Sequence, residues 1–328
     1  MKALVPTYRQ RQRGAALIIV LLLVATLSFI LLSITERVSA SVERSVFDRA
    51  RADMLWRAAA AEEIARQILA KADAAGELAV MTPNSGLLAQ EIELPFEGGA
   101  NIIRFRDATR CFNVNELETA SGGPAAPNAA TRFADLGAAL GLGDSEARKV
   151  ASVITDFIDP DGVEEIQGAE DGFYSALPTP YSTAGGRLAS VSELRAMDGV
   201  SRSLYRRLKP YLCAIDDNAQ PSINLNMLTK EHAPLIVALT NGAWSETEAS
   251  TQIEARPPGG WAAVGDFWAP FVAGGGAQPT NAGALTSSRL EALIRLEVNG
   301  QTMDEKLLFE VKAGAKPKLV ARTFGDDY

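Results

Sequence analysis

The chain has 328 residues, a length typical of two or three domains. Its 32 basic and 40 acidic residues give a net charge of −8, which argues against a duplex-binding protein with a basic face. The single histidine, His232, leaves too few ligands for a zinc site with several histidines and too few parts for most histidine-based catalytic relays. The two cysteines allow at most one internal disulfide.

The N-terminus predicts a membrane segment. Residues 1–14 contain four basic residues and no acid, and residues 15–35 contain no charge. About 20 apolar residues are needed for a helix to cross a bilayer. Because the basic flank comes first, the positive-inside rule leaves the leader in the cytoplasm and everything after Glu36 on the other side. An uncleaved signal anchor is one interpretation; a secretory signal peptide is a weaker one, because its apolar run is shorter.

The helical pattern continues beyond the apolar segment. No Pro or Gly occurs between Ala15 and Ala75, and apolar residues recur at spacings near three to five through residues 36–72. The sequence therefore predicts one long helix. Gly14 stands where the basic leader meets the apolar run, which suggests a third interpretation, processing at that glycine.

Residues 76–89 contain Gly, Pro and Asn and are predicted as a loop. Two strands are predicted around the Gly98–Gly99 turn, and three more follow between Leu290 and Thr323. The middle of the chain is rich in Ala and Leu, and helices are predicted at 130–140, 145–157, 190–197, 201–212, 226–239 and 245–255. Neither group of strands is large enough to be stable alone. The sequence therefore predicts an α+β fold in which a helical domain is inserted between the strands of a small antiparallel sheet.

The helical region contains two notable patterns. FNVNEL at 112–117 and INLNML at 223–228 share an apolar-Asn-apolar-Asn unit, which indicates either two independent capped helix starts or two related subdomains. Residues 188–212 resemble a helix-hairpin-helix, or SAM-like, unit with a turn at Asp198–Gly199. Such a turn can present backbone N–H groups to phosphate, but the acidity of the chain favours a packing module.

Residues 156–171, DFIDPDGVEEIQGAED, hold seven acidic residues and no Lys or Arg. Like charges this dense repel one another unless they are solvated or neutralised. Pro160 and Gly162 indicate a loop, and oxygen ligands on a loop suit Ca²⁺, although the spacing is not that of an EF-hand. A solvated acidic loop is the alternative.

Several phrases together resemble a known family. The basic leader, Gly14 and the long apolar helix are similar to type IV pilins and pseudopilins. CFNVNEL, DFIDPD, GAEDGFY, PYSTAGGRLASVSELR, DGVSRSLYRRLKPYLCAI and INLNML occur in the order of the K-type minor pseudopilin of type II secretion systems. That resemblance spans nearly the whole chain and implies a pilin-like helix and sheet with a large helical insertion.

The resemblance implies a processing step and a position. A prepilin peptidase would cut between Gly14 and Ala15. The family's usual fifth mature residue is Glu, thought to pair with a neighbouring subunit's terminal amine, whereas here it is Ile19. A neutral residue there is typical of the K-type subunit, which is thought to sit at the pseudopilus tip.

The expected organisation has five segments. They are a cleaved cytoplasmic leader at 1–14, a transmembrane part at 15–35, the helix and first strands at 36–110, an inserted domain of two SAM-like subdomains at 111–285 and the final strands at 286–328. The protein would be a single-pass inner-membrane protein with its bulk in the periplasm, and not an enzyme. Its expected partners are other minor pseudopilins, the major pseudopilin and prepilin peptidase, with no nucleic acid. A membrane-anchored periplasmic DNA-binding protein is the alternative.

The resemblance also bears on the acidic loop, because the helical domain of the K type binds calcium. The acidic positions that match the family best are Asp159, Asp161, Glu170 and Asp171, and a structural Ca²⁺ is expected there. Separately, Cys111 and Cys213 can pair in an oxidising periplasm. Two buried free thiols are the alternative.

Overall fold

The structure is a computed structural model that describes residues 11–118, 128–215, 223–279, 282–298 and 300–325. Most of the predicted leader therefore lies outside the described residues. The chain divides by its internal contacts into two compact units, Met1–Ala59 and Ala60–Tyr328. Each unit is described separately below.

One continuous helix, α1 (Arg11–Ala74), begins in the first unit and ends in the second, as predicted. Its length follows from the absence of any helix-breaking residue after Gly14. In the first unit its apolar side chains between Leu17 and Ile34 are exposed. Within the described part of the chain this is the one helix whose length and composition would allow it to cross a membrane.

The second unit contains a five-stranded antiparallel sheet in the order β1-β2-β5-β6-β7. Its strands are β1 (Glu91–Phe96), β2 (Gly99–Asp107), β5 (Arg289–Val298), β6 (Gln301–Glu310) and β7 (Lys318–Phe324). The register pairs Arg104 with Leu293 and Ile294 with Glu305. Buried and less buried residues alternate along β2 and β5, so the sheet has one core face and one outer face.

The last turns of α1 are held to this sheet by polar contacts. Asp73 accepts a hydrogen bond of 2.8 Å from the backbone N–H of Gly314, and Glu62 pairs with Arg322 on β7. Ala61, Ala65 and Leu69 recur at every fourth position and are fully buried. This spacing places them on one face of the helix.

All the other helices except one lie between β2 and β5 in the chain, and the fold is α+β as predicted. The exception is a single turn, α2 (Gly86–Ala89), in a stretch predicted as loop. The helical region contains α3 (Ala129–Ala139), α4 (Asp144–Ile158), α5 (Asp171–Ser175), α6 (Arg202–Leu208), α7 (Ala233–Leu239), α8 (Glu246–Glu254) and α9 (Val264–Ala273). A short parallel pair, β3 (Phe112–Asn113) and β4 (Leu212–Cys213), joins the start of this region to its middle.

Three predicted helices are shorter or more broken than the sequence indicates. Residues 226–239 were expected to form one helix, but they form short 3₁₀ turns followed by α7, with Pro234 in its first turn. Residues 201–212 form α6, a 3₁₀ turn at Pro210 and then β4. Residues 191–196 form a 3₁₀ helix. In each case local capping or a proline ends the helical periodicity early.

The helical region has a single hydrophobic core. It runs from Phe112 through α3, α4 and α7 to Phe271 on α9, and includes the fully buried Phe133, Ile154 and Trp268. Side chains from both predicted SAM-like subdomains therefore contribute to one core.

The two Asn-x-Asn units hold that region together. In the first unit the Asn115 side chain accepts from the Leu188 N–H at 2.9 Å and donates to the Leu188 carbonyl at 3.0 Å. In the second unit Asn226 accepts from the Trp261 N–H at 2.6 Å and donates to its carbonyl at 3.2 Å. Both side chains are buried and so cannot hydrogen-bond to bulk water. One accepted and one donated hydrogen bond to a distant backbone residue satisfy each amide instead.

Candidate metal centre

The acidic loop begins at the end of an amphipathic helix. The buried face of α4 includes Val150, Val153, Ile154 and Ile158, and the helix ends at Ile158. The next residue, Asp159, has an extended backbone and caps the helix. Pro160 follows, and the residue before a proline is disfavoured in helical conformation. The helix therefore ends with carboxylates near its C-terminus, where the helix dipole favours a cation.

Three of the four predicted ligands come together. One carboxylate oxygen from each of Asp159, Asp161 and Glu170 lies within 4.8 Å of the others. Asp159 is buried, Glu170 is partly buried and Asp161 is exposed. This graded exposure leaves the group accessible from the Asp161 side.

The fourth predicted ligand, Asp171, is engaged elsewhere and is not part of this group. Its Oδ1 accepts hydrogen bonds from the Thr183 N–H at 2.7 Å and the Thr183 hydroxyl at 2.8 Å. These bonds lower the pKa of Asp171. In this arrangement Asp171 ties the loop to residue 183.

Asp156 is an acidic side chain that the predicted ligand set does not include. It is fully buried, and its Oδ1 accepts from the Glu165 N–H at 3.0 Å. Its Oδ2 is buried with no hydrogen-bond partner among the described residues. Residues 153–159 are all buried, so Asp156 lies inside the packed end of α4, and its burial is a property of the packed chain.

The electrostatics of the loop favour a bound cation. Burial raises the pKa of Asp156, and the charges of Glu165 and Glu164 raise it further. Burial also raises the pKa of Glu170, with added repulsion from Asp156, Asp159 and Asp171. Glu170 Oε1 is buried and has no hydrogen-bond partner in the described part of the chain. Orphaned buried oxygens beside like charges are costly, and a divalent cation reverses that cost.

Gly168 leaves the space that Asp156 occupies. A Cβ atom at residue 168 would lie 1.8 Å from Asp156 Oδ2, far inside van der Waals contact. Gly162, in the same loop, has no atom within 4 Å of its would-be Cβ. The donor set is entirely oxygen, which suits Ca²⁺, so the residues present fit this ion. They are Asp159, Asp161 and Glu170, with Asp156 beside them.

Cys111 and Cys213 are joined by a disulfide with a Cα–Cα distance of 5.7 Å. The bond lies beside the β3–β4 pair, where Asn113 is the register partner of Cys213. It spans 102 residues of sequence and so closes the loop that contains α3, α4, α5 and α6.

Two backbone donors of the helix-hairpin-helix turn, the N–H groups of Asp198 and Val200, are already engaged within the protein. The N–H of Asp198 donates to the Tyr174 hydroxyl at 3.2 Å, and the N–H of Val200 donates to the Met197 carbonyl at 3.3 Å. The Asp198 carboxylate pairs with Lys149 at 2.7 Å. The turn packs against α4 and α5, so this geometry does not support the DNA-binding alternative.

The predicted processing site is on α1. Gly14 and Ala15 lie within the first turns of that helix, which begins at Arg11. Ile19, further along the same apolar stretch, is 64% exposed.

A long N-terminal helix joined to an antiparallel sheet, with a helical region between the second strand and the third strand of the sheet, defines a pilin-like α+β protein. Two family profiles, both described as "Type II secretion system (T2SS), protein K", match residues 110–217 and 223–294. The chain belongs to the type II secretion system protein K family, and is therefore a component of that secretion machinery.

Individual relatives agree with the family profiles. The chain is 36% identical over 260 residues to type II secretion system protein K of Pectobacterium carotovorum subsp. carotovorum, which covers 78% of this chain and 79% of the relative. It is 31% identical over 264 residues to the Klebsiella pneumoniae protein of the same name, with coverage of 78% and 79%.

Among solved structures, a chain of the GspK-GspI-GspJ complex from the enterotoxigenic Escherichia coli type 2 secretion system matches with a TM-score of 0.72. The match covers 85% of this chain and 99% of that one, at 24% sequence identity. At this identity the structure supports the fold.

The two loop glycines give a matched test of the site geometry. We expect Gly168→Ala to displace the Asp156 carboxylate and to lower the melting temperature of the detergent-solubilised chain by several degrees, as overpacking of about 1–3 kcal/mol would. Gly162→Ala should melt within about one degree of the wild type, because its Cβ enters open space. Equal melting of the two variants would contradict the close packing of Asp156 on Gly168.

Proposed function

We propose that this chain is the tip subunit of a type II secretion pseudopilus, anchored in the inner membrane with its bulk in the periplasm. The observation that carries the proposal is the apolar stretch of α1. Residues 15–35 have no charge, and Ile19 stands where pilin-like subunits usually carry a glutamate. An apolar stretch without that carboxylate has no group that can pair with the terminal amine of a subunit above it.

The helical region supports the same position. The chain from α3 to α9 forms a large insertion between β2 and β5. If this subunit repeated along a regular filament, the filament would have to make room for that insertion at each copy. At a tip the same insertion has no neighbour above it. We therefore infer that smaller minor pseudopilins pack beneath this chain, as in the complex of GspK with GspI and GspJ.

The chain acts in this proposal as a structural subunit and not as an enzyme. It would be the substrate of one, the prepilin peptidase, and would contact the major pseudopilin through the minor ones. The disulfide between Cys111 and Cys213 is compatible with an oxidising periplasm.

We further propose a structural calcium ion at the acidic loop. Asp159, Asp161 and Glu170 would hold it, and Asp156 would lie in its surroundings. When bound, the ion supplies positive charge that offsets the repulsion between these carboxylates. The residues themselves fix the end of α4 against the start of α5, so the ion would stabilise the helical region without taking part in a reaction.

The first prediction from this proposal concerns processing. Cleavage after Gly14 should leave Ala15 as the N-terminus in cells with an active prepilin peptidase. Gly14→Leu should retain the leader, because the glycine at the junction of the basic and apolar segments is the feature that marks the proposed cleavage site. Mass spectrometry of the membrane-extracted protein reads the terminus directly, with Gly86→Leu, outside the leader and at an ordinary φ, as the control. Recovery of Met1 in the wild type would contradict the assignment.

The second prediction concerns position. Gold labelling of sheared pseudopili should mark this subunit at one end of each filament, and it should co-purify with other minor pseudopilins. Ile19→Glu introduces a carboxylate that can pair with a subunit above and should reduce strict end labelling and secretion. Ile19→Leu keeps the stretch neutral and serves as the control. Regular labelling along wild-type filaments would overturn the tip proposal.

The third prediction concerns calcium. A ligand that binds only the folded state at about 100 times its Kd stabilises that state by about 2.7 kcal/mol. Chelation should therefore lower the melting temperature of the detergent-solubilised chain by several degrees, and Asp159→Asn should abolish this response. Glu164→Gln, a charge-neutralising change in the same loop, should leave it intact. If the wild type melts at the same temperature with and without a chelator, the loop is only a solvated acidic segment.

A further inference from the structure

A cavity of about 420 Å³ lies within the second unit, between the outer face of the sheet and the helical region. The sheet contributes Arg106, Glu291 and Lys306, and the helical region contributes Lys209 and His232. Arg110 lines it close to the disulfide. We call this space the Arg110 cavity. Nothing in the secretion role described above uses it.

The charges around the Arg110 cavity do not cancel. Among the described residues, four basic side chains line it, against two acidic ones, in a chain whose net charge is −8. The four are Arg106, Arg110, Lys209 and Lys306, and the two are Asp107 and Glu291. A positive concavity on an acidic protein is a local feature that attracts anions.

Both acidic side chains already have partners. Asp107 Oδ1 accepts from the N–H and the hydroxyl of Thr109, each at 2.5 Å, and Oδ2 accepts from Asn224 at 3.2 Å and from Ser287. Burial raises the pKa of Asp107. Glu291 pairs with Arg106 and lies 3.8 Å from Lys306. Both acids therefore already have hydrogen-bond or ion-pair partners other than Arg110.

Arg110 lines the cavity but takes part in none of these hydrogen bonds or ion pairs. Its Nε is buried and has no hydrogen-bond partner among the residues that the structure describes. A buried guanidinium N–H without an acceptor is costly, and such a group is one of the strongest donors to oxyanions in proteins. The two-pronged guanidinium matches the oxygens of a carboxylate, a phosphate or a sulfate.

His232 reports on the charge at this position. Its Nδ1 accepts from the Thr229 N–H at 3.2 Å, so in the neutral ring the proton is on Nε2. Burial and the positive charge of Arg110 lower its pKa to about 4, against smaller opposing effects from Thr229 and Glu231. The positive charge of Arg110 therefore acts on the imidazole, which is neutral at pH 7.

From this geometry we propose that the Arg110 cavity binds an oxyanion and that Arg110 contacts it directly. The oxyanion is either a free ion or the carboxylate of an acidic side chain that a partner inserts into the cavity. Both sources share the chemistry that a guanidinium recognises. Bound there, the anion accepts from the buried Nε–H and neutralises the excess positive charge.

The test uses the full detergent-solubilised chain and two probes. Calorimetry at pH 7 measures the affinities for sodium sulfate and for N-acetylglutamate at matched ionic strength, with sodium chloride as the reference salt. Arg110→Gln should weaken binding of the effective probe by at least about tenfold, the loss typical of one hydrogen bond to a charged group. Arg104→Gln is the matched control, because Arg104 lies on β2, shortly before Arg110 in the chain, pairs with Glu91 and does not line the cavity.

A second readout uses the single histidine. Sulfate remains a dianion across the titration, so NMR of ¹³C-labelled His232 should show a higher pKa in sulfate than in chloride. In Arg110→Gln the pKa of His232 should be raised without any anion and should no longer respond to sulfate. Should Arg110→Gln fail to fold, Lys306→Gln removes a second lining cation and should weaken binding severalfold.

The possible results distinguish the two sources of the oxyanion from each other and from the absence of a site. Binding of sulfate indicates a free oxyanion, and binding of N-acetylglutamate alone indicates the acidic side chain of a partner. Identical affinities and His232 titrations in sulfate, N-acetylglutamate and chloride would overturn the proposal. Binding that survives both Arg110→Gln and Lys306→Gln would also overturn it, because the anion would then lie elsewhere.

Discussion

The helical region depends on buried asparagine side chains that hydrogen-bond to distant backbone groups as a neighbouring strand would. Asn115 and Asn226 each offer a donor and an acceptor to one distant residue, Leu188 and Trp261, in the pattern of a strand pair. Asn113 does the same with Ile215, accepting at 2.9 Å and donating at 3.0 Å. Because a buried amide without partners costs about 1–3 kcal/mol, these contacts fix where the loops must run. The short helices between them then pack into one core.

These contacts also connect the helical region to the sheet. Asn224 donates to Asp107 at the end of β2 and to Ser287, which precedes β5. The chain leaves the sheet at Asp107 and returns at Arg289, so a single buried network holds the two crossing points together. The disulfide at Cys111 lies just beyond the first crossing point. An insertion held at both ends in this way can be large without separating the strands that flank it.

The acidic loop has the opposite energetic character. Its carboxylates are brought together by the end of α4 and the start of α5, and nothing basic lies within residues 156–171 to balance them. This repulsion occurs where Asp156 is fully buried and where the absence of a Cβ atom at Gly168 leaves room for the Asp156 carboxylate. Such an arrangement is expected where a cation completes the structure, since without one the raised pKa values of Asp156 and Glu170 mark a local cost.

Local patterns in the sequence determined the features that depend on neighbouring residues. The helix α1 followed from an unbroken run without Pro or Gly, the strands from short apolar alternations between turns, and the acidic loop from its composition. The order of six short phrases was enough to indicate the family. Each of these signals is contained within a few turns or one strand, where backbone propensity and side-chain spacing act directly.

The tertiary structure decided the features that depend on distant residues. The first asparagine of each Asn-x-Asn unit caps the 3₁₀ turn that follows, in agreement with the capping interpretation. The second asparagines bind backbone 73 and 35 residues away, which no local pattern indicates. Asp156 is buried beside the predicted ligands, and Asp171 binds Thr183 instead of joining them. Burial and hydrogen-bond partners at these positions are set by how α4, α5 and the loop pack. The Arg110 cavity has lining residues from β2, β5, β6 and the helical region, which no local pattern joins. Hydrogen-bond partners and burial are properties of the packed chain, so they became visible only in three dimensions.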